Sequence, residues 1–428
     1  MMTGVRVGRR ALLQWGLAAA ALRGPFARAS AGQRVIVIGA GFGGATCAKY
    51  LHLLSPTTAV TLIEQRSRFL TGPFSNLVIA NLRGAASIRR RSAAVGTAHG
   101  VSTLIDAVTD IDPVNLAIQT SGGRKLRADC IVVAPGIAMR WDAIAGLEAR
   151  HSDAMPHGWL GDAQVLMLRA RLRAIPDGAT VLIAAPPNPY RCPPGPYERA
   201  SLMAWALANS GRRRVKIIVA DAKDDFSKSA LFRYLWDTLY PGMIEWMARK
   251  SGGEVVRVDT RTGEVWLRDA ARPIQTGLAS IIPPQQAAEL AQRADLTDES
   301  GWCPVDPQSF ESTRHAGLFV IGDAALAAPM PKSAFAATSQ AKLCACAIAA
   351  RFSGAVPPAA RLLNTCYSLV SDNEAISVSG YYAVVGGRLA ELSGGLSPLP
   401  ADEVLRRREA RQAAAWYQSI TTDSFGDS

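Results

Sequence analysis

The 428-residue chain is 49% hydrophobic and 19% charged, enough for several buried cores. This excludes a disordered chain, a peptide or a disulfide-stapled miniature, and at about 150 residues per domain it predicts two or three domains. The net charge of +12 invites a nucleic-acid reading, yet Arg6, Arg9, Arg10, Arg23 and Arg28 lie in residues 1–31 with no acid among them. Removing five from +12 leaves +7, and the remaining basic residues are dispersed apart from three triplets. Arg89-Arg90-Arg91, Arg212-Arg213-Arg214 and Arg406-Arg407-Arg408 are expected to be solvated faces.

At the start of the chain, Arg9-Arg10 precede an apolar stretch from Ala11 to Leu22, and small residues follow at Ala27-Arg28-Ala29 and Ala29-Ser30-Ala31. That stretch is shorter than the roughly 20 residues needed to cross a bilayer. The pattern resembles a twin-arginine export signal, with Leu12 and Gln14 where the usual Phe and Lys stand; an ordinary secretory signal is the alternative. Residues 1–31 are therefore expected to be an export signal, and the mature chain to be periplasmic in an oxidising compartment.

Arg34-Val35-Ile36-Val37-Ile38 reads as a buried strand and runs into Gly39-Ala40-Gly41-Phe42-Gly43-Gly44. A helical stretch from Ala45 to about Leu54 follows, then a strand from Ala59 to Ile63 ending on Glu64. The spacing predicts a dinucleotide site: Gly39 for the tight turn, Gly41 for close approach to a pyrophosphate, Gly44 for helix–strand packing, and Glu64 for the ribose hydroxyls. The later strand Cys130-Ile131-Val132-Val133-Ala134-Pro135-Gly136 resembles the connecting fingerprint of two-dinucleotide-domain flavoproteins. Gly317-Leu318-Phe319-Val320-Ile321-Gly322-Asp323 resembles their second flavin fingerprint, in which the Asp hydrogen-bonds the ribityl chain. Three fingerprints in that order, including Ala134, Gly136, Gly322 and Asp323, favour FAD over NAD.

The middle of the chain departs from that pattern. Strands are expected at Ala179–Ala184 and Val215–Asp221, but the first runs into Ala185-Pro186-Pro187-Asn188-Pro189-Tyr190-Arg191-Cys192-Pro193-Pro194-Gly195-Pro196. Prolines fix φ and carry no N–H, so this loop cannot cradle a pyrophosphate through its backbone. A degenerate nicotinamide-type domain is expected, with electrons not drawn from NAD(P)H.

None of the seven cysteines forms a Cys-x-x-Cys pair, so no covalent haem is expected on this chain and no metal site is assigned. Cys47, Cys130, Cys344 and Cys346 read as core residues. Cys192 sits before a helix expected to begin near Pro196, with Arg191 and Arg199 nearby, surroundings that favour a thiolate. Cys366 lies where a C-terminal segment begins. Taken from the residues alone, Cys192 and Cys366 are either partners or two unrelated cysteines.

The run from Arg191 to Ser201 resembles the flavoprotein subunit of flavocytochrome c sulfide dehydrogenase, as do Gly301–Asp306, Pro329–Ser333, Leu363–Tyr367 and Ala415-Trp416-Tyr417. The similarity extends over essentially the whole mature chain. It implies a redox-active disulfide between Cys192 and Cys366 over the flavin, a carboxylate at Glu198 handling protons, and Trp416 near the flavin. Glu198 has a plainer reading as a first-turn acid facing a helix dipole. Phe335 stands where the family's active-site Tyr is expected, and Gly72, in Thr71-Gly72-Pro73-Phe74-Ser75-Asn76, stands where the family often carries a flavin-linking Cys. FAD is therefore expected to be non-covalent.

The expected fold class is α/β, with two Rossmann-like domains and a C-terminal α+β interface segment. The expected boundaries are 32–148 with 300–355 for FAD, 149–299 for the degenerate domain with Cys192, and 356–428 for the interface segment with Cys366. The resemblance implies a sulfide dehydrogenase passing electrons to a separate c-type cytochrome. Alternatives are a flavoprotein of a thiosulfate-oxidising multienzyme system acting on carrier-bound persulfide, and a non-catalytic flavin-binding accessory subunit. A membrane sulfide:quinone reductase fits less well, because Arg406, Arg407, Arg408 and Arg411 crowd the C-terminal helix.

Overall fold

The structure is a computed structural model that describes residues 32–161, 163–400 and 402–426. The expected export signal lies outside them.

The first unit begins with β1 (Arg34–Ile38), whose last four residues are all buried, and continues through α1 (Phe42–Leu54), β2 (Ala59–Glu64), β3 (Ser102–Ile105) and β4 (Cys130–Val133). The second contains β5 (Thr180–Ala185), α2 (Gly195–Asn209), β6 (Lys216–Asp221), α3 (Ser229–Leu239), β7 (Ile244–Met247) and β8 (Leu278–Ile281). The chain then returns to the first unit through β9 (Leu318–Val320) and α4 (Ala334–Ser353). The first sheet has the order β9-β4-β1-β2-β3 and the second β7-β6-β5-β8, every pairing parallel. Runs such as Cys130–Val133, buried on both faces, are what a parallel sheet sandwiched between helices requires. The fold is thus α/β with two Rossmann-like units.

The C-terminal segment is an antiparallel sheet, β10 (Arg361–Leu369), β11 (Ala375–Val385) and β12 (Arg388–Leu396), followed by α5 (Glu403–Phe425). Asp402 caps α5 by accepting the Leu405 N–H at 3.2 Å. At its far end α5 docks on α1: Phe425 packs edge-on to Phe42 at 5.0 Å, and Asp423 pairs with Lys49 at 2.8 Å.

The arginine triplets are not simply solvated. Strand alternation turns Arg90 inward between exposed Arg89 and Arg91, and helix periodicity buries Arg406 against Glu374 at 2.6 Å. Among the described residues no helix is long and apolar enough to cross a membrane.

Candidate active site

One cavity of about 440 Å³ gathers side chains from both units and the C-terminal sheet. Gly41, Glu64, Ala134, Gly136, Gly322, Asp323, Cys192, Glu198, Cys366 and Trp416 all line it. Gly72 lines it as well, whereas Gly39 and Gly44 form the turn behind it.

That turn explains its own glycines. Gly39 has φ +95°, and a Cβ there would sit 2.3 Å from the Ala134 carbonyl oxygen; a Cβ on Gly44 would sit 1.8 Å from the Gly39 oxygen. Only glycine lets β1, the turn and α1 approach so closely. α1 begins at Phe42, three residues earlier than the sequence suggests, without a side-chain cap. Its first-turn N–H groups are therefore available to an anion at the cavity wall, and Gly41 has nothing within 4 Å of where a Cβ would stand. Glu64 accepts the Ala40 N–H at 2.9 Å and the Arg66 N–H at 3.0 Å, which aims its carboxylate at the turn. Trp416 adds a buried indole N–H with no partner among the described residues. An uncapped helix start, open space over Gly41 and an unpartnered donor together fit a dinucleotide such as FAD. Gly41 and the first turn of α1 would hold its pyrophosphate, and Glu64 its ribose.

Asp323 lines the cavity and is also held from within the protein. Arg191 reaches across to it, Nε donating to Oδ2 at 2.6 Å, and a second guanidinium nitrogen donates to the Trp159 carbonyl at 3.3 Å. The reason is local: Lys332 donates to the Asp323 carbonyl at 2.7 Å while its own carbonyl accepts the Cys192 N–H at 2.8 Å. These bonds lash the proline loop to the Gly322–Ser333 segment and bring Arg191 over Asp323.

Cys192 and Cys366 come from different units and face the same cavity, both unbonded. The expectation that Cys192 is a ready thiolate is corrected: burial pushes its thiol well up, and the charges of Glu198 and Cys366 add to that. Cationic sequence neighbours do not reverse this. Arg191 is engaged by Asp323, and Arg199 is buried with bonds to Asn76, His157 and Ser280. Burial also raises Cys366, but there Lys228, Ser333 and Asn364 pull the other way.

Glu198 stands in the first turn of α2, and its role extends beyond the dipole. Its carboxylate accepts from Asn76 Nδ2 at 2.8 Å and from the Leu369 N–H at 2.9 Å, joining the one-turn helix Ser75–Ile79, α2 and β10. Burial raises its pKa despite those bonds. Trp416 packs edge-on to Tyr367 at 6.1 Å, and its neighbour Tyr417 stacks on Phe74 at 4.4 Å.

Lys228, Asn76, Ser333 and Asn364 were not singled out from the sequence. Lys228 lies between Ser227 and Ser229 with no motif to mark it, and only the fold shows it buried, with its Nζ donating to Ser368 at 2.7 Å. Backbone conformation offers one structural signal. Phe74, Cys192 and Lys228 all have φ between +57° and +68°, a region side chains rarely adopt. Such residues cluster at functional sites.

Residues 165–283 match the central domain of the sulfide dehydrogenase (flavocytochrome c) flavoprotein chain, and residues 358–425 match the flavin-binding domain of flavocytochrome c sulphide dehydrogenase. Residues 33–157 match the pyridine nucleotide-disulphide oxidoreductase family. A sulfide dehydrogenase flavoprotein chain from Chlorobaculum thiosulfatiphilum is 56% identical over 46 residues, 11% of this chain and 96% of that sequence. Mitochondrial sulfide:quinone oxidoreductase from Mus musculus is 23% identical over 317 residues, 72% of this chain and 68% of that protein. The sulfide:quinone oxidoreductase structure from Aquifex aeolicus superposes with a TM-score of 0.72 at 18% identity, covering 92% of this chain and 93% of that one. With both family-specific domains in one chain and 56% identity over nearly the whole length of the Chlorobaculum sequence, the protein belongs to the flavocytochrome c sulfide dehydrogenase flavoprotein family.

Proposed function

We propose that this protein is a periplasmic FAD-dependent sulfide dehydrogenase that works through a Cys192–Cys366 redox pair and passes electrons to a separate c-type cytochrome. The observation that carries this reading is the convergence of Cys192 and Cys366 on the cavity lined by the flavin fingerprints. FAD, when bound, supplies the two-electron acceptor chemistry.

The chain's own part is thiol–disulfide exchange. With the pair oxidised, hydrosulfide attacks one sulfur. A new S–S bond forms to give a persulfide, the cysteine–cysteine bond breaks, and its electron pair leaves on the other sulfur as a thiolate. The sulfide sulfur is oxidised and the disulfide reduced. Glu198, whose pKa burial raises, stands beside this exchange as the group suited to take or give a proton. Trp416 and the Tyr417–Phe74 stack close the cavity with aromatic surface that limits water. Non-covalent FAD follows from Gly72, which offers no sulfur for a linkage.

The test is anaerobic stopped-flow reduction of the holoenzyme's flavin by sulfide. Cys192→Ser should slow it by at least about a thousandfold, as loss of an attacking or leaving sulfur does. Reduction at the wild-type rate would sink the reading and favour an accessory flavoprotein. Thiosulfate and a persulfidated carrier thiol, run alongside, would separate free sulfide from carrier-bound sulfur as substrate.

A further inference from the structure

We infer that Lys228 is a positioning residue that makes Cys366, rather than Cys192, the sulfur that carries negative charge when the cysteine pair is reduced. The inference deepens the redox-pair reading above and rests on it for its catalytic meaning.

The geometry is asymmetric about the two sulfurs. Lys228 is 5% exposed, and its Nζ donates to Ser368 Oγ at 2.7 Å. Ser368 and Cys366 are two apart on β10, so their side chains leave the strand on the same face, and both line the cavity. The ammonium is thereby held on the Cys366 side. Cys366 Sγ also lies 3.5 Å from Asn364 Oδ1, which accepts the Ser333 hydroxyl at 2.6 Å. Ser333 is in turn fixed as the cap of α4, accepting the Ala336 N–H at 3.0 Å. Cys192 has its backbone N–H anchored to Lys332, and the Lys228 charge reaches it too, but there it ranks behind burial, Glu198 and Cys366, whereas for Cys366 it comes directly after burial.

Lys228 holds this place at a conformational cost, with φ 64° at the start of α3. Groups on four neighbouring elements face it: Cys366 on β10, Cys192 in the proline loop, Glu198 on α2 and Glu409 on α5. Each of these, when ionised, favours the ammonium. Burial works against it and lowers its pKa to about 8, so the cation is retained at neutral pH. The Glu198 charge disfavours the Cys366 thiolate, while Tyr382 on β11, its own pKa raised to about 12, stays a neutral phenol there. Lys228 is the cation offsetting that charge. When hydrosulfide opens the disulfide at Cys192, the bonding electron pair passes to Cys366 Sγ. The outer persulfide sulfur on Cys192 keeps the proton that hydrosulfide brought.

The experiment is rate-resolved alkylation of the dithiol-reduced holoenzyme with iodoacetamide from pH 5.5 to 10, each cysteine quantified by peptide mass spectrometry. In wild type, Cys366 should react faster than Cys192 at pH 7.5. Lys228→Met should raise the apparent pKa of Cys366 by one unit or more and slow its alkylation at pH 7.5 by about three- to tenfold, allowing for the greater nucleophilicity of a more basic thiolate. Lys228→Arg should restore the rate to within about twofold, which a purely structural role would not require. Should Lys228→Met fail to fold, Ser368→Ala, which frees the ammonium from its acceptor, should slow Cys366 alone by about twofold. A faster Cys192 in wild type, or an unmoved Cys366 profile in these variants, overturns the inference. Alkylation does not depend on sulfide turnover. If sulfide fails to reduce the flavin while these shifts appear, the functional reading falls and the hold of Lys228 on Cys366 stands.

Discussion

The two parallel-sheet units share an architecture and differ where each first strand ends. After β1 the chain turns on Gly39 and Gly41, and Glu64, at the end of β2, reaches the cavity. After β5 it enters the proline loop, and Asp221, at the matching end of β6, is wholly buried. The Asp221 carboxylate accepts from Tyr197 at 2.6 Å, Trp246 at 2.9 Å and Lys223 at 2.6 Å, while Tyr197 stacks on Phe226 at 3.7 Å. The chain's own aromatic side chains fill that end of the second unit. One unit leaves its strand-end acid facing the cavity; the other buries it in its own core, and its loop carries a cysteine to the cavity wall.

The most severe way to break the comparison is at the turns themselves. Gly44→Val drives side-chain atoms into the Gly39 carbonyl, and the purified protein should retain less than about a tenth of wild-type flavin, read as the ratio of visible to ultraviolet absorbance. At the second turn, Pro187→Gly falls on an exposed residue and should cost only about 0.4–1 kcal/mol through the unfolded chain, with flavin content unchanged. Equal flavin loss in both variants would erase the distinction.

The strand-end acids sharpen it further. Asp221→Ala leaves the Lys223 ammonium buried without its carboxylate and should destabilise the protein by about 3–5 kcal/mol in urea unfolding, with flavin affinity unaltered in the folded fraction. Glu64→Gln should do the reverse, weakening flavin binding about tenfold while changing stability by less than about 1 kcal/mol. Neither acid would then serve the other's purpose.

A smaller effect belongs to the junction between the units. His157 is buried, and its Nδ1 accepts the Trp159 N–H at 2.8 Å while its carbonyl accepts from Arg199 at 2.6 Å. Burial, with the Arg199 charge adding to it, lowers the His157 pKa from the ordinary 6.5 to about 4. The unfolded chain therefore binds a proton below pH 6.5 that the folded chain refuses until about pH 4. The stability from neutral His157 is complete above 6.5 and lost as pH falls through that window, by about 2 kcal/mol at pH 5. Urea unfolding at pH 7 and pH 5 should show that loss in wild type and not in His157→Gln. The raised pKa of Glu198 acts in the opposite sense, and the difference between the two proteins removes its contribution.

How much of this was legible in the sequence depends on how local the physics is. The Gly39–Gly44 turn, the β-branched strands and the proline loop were readable because backbone conformation there follows from neighbouring residues. The placement of Glu64 at a strand end follows from the same short-range spacing. The thiol of Cys192 escapes a local reading for the complementary reason: adjacent arginines suggest a thiolate, whereas burial and Glu198, six residues on in the first turn of α2, raise its pKa. The Arg191–Asp323 bond and the Lys228–Ser368 bond join residues 132 and 140 positions apart, and no local pattern announces either. Lys228 carries the further handicap that a lysine between two serines normally reads as surface.

The least disruptive prediction concerns Gly72, where the resemblance read from the sequence leads one to expect a flavin-linking Cys. A Cβ at this position would have nothing within 4 Å, and φ is not in the left-handed region, so a side chain faces open cavity rather than the chain. Neighbouring anchors hold the segment independently of it: Thr71 Oγ1 lies 2.8 Å from the Tyr417 hydroxyl, and Ser75 donates to the Gly72 carbonyl at 2.7 Å. Gly72→Ala should therefore change stability by no more than about 0.5 kcal/mol and leave flavin content intact. In wild type, acid precipitation should release all flavin into the supernatant. Gly72→Cys places a thiol at the position of the family's linkage, and flavin retained on the precipitated polypeptide in that variant alone would show that a single missing sulfur separates this chain from a covalent flavoprotein. Release of all flavin from Gly72→Cys would mean that attachment needs more of the segment than this one residue.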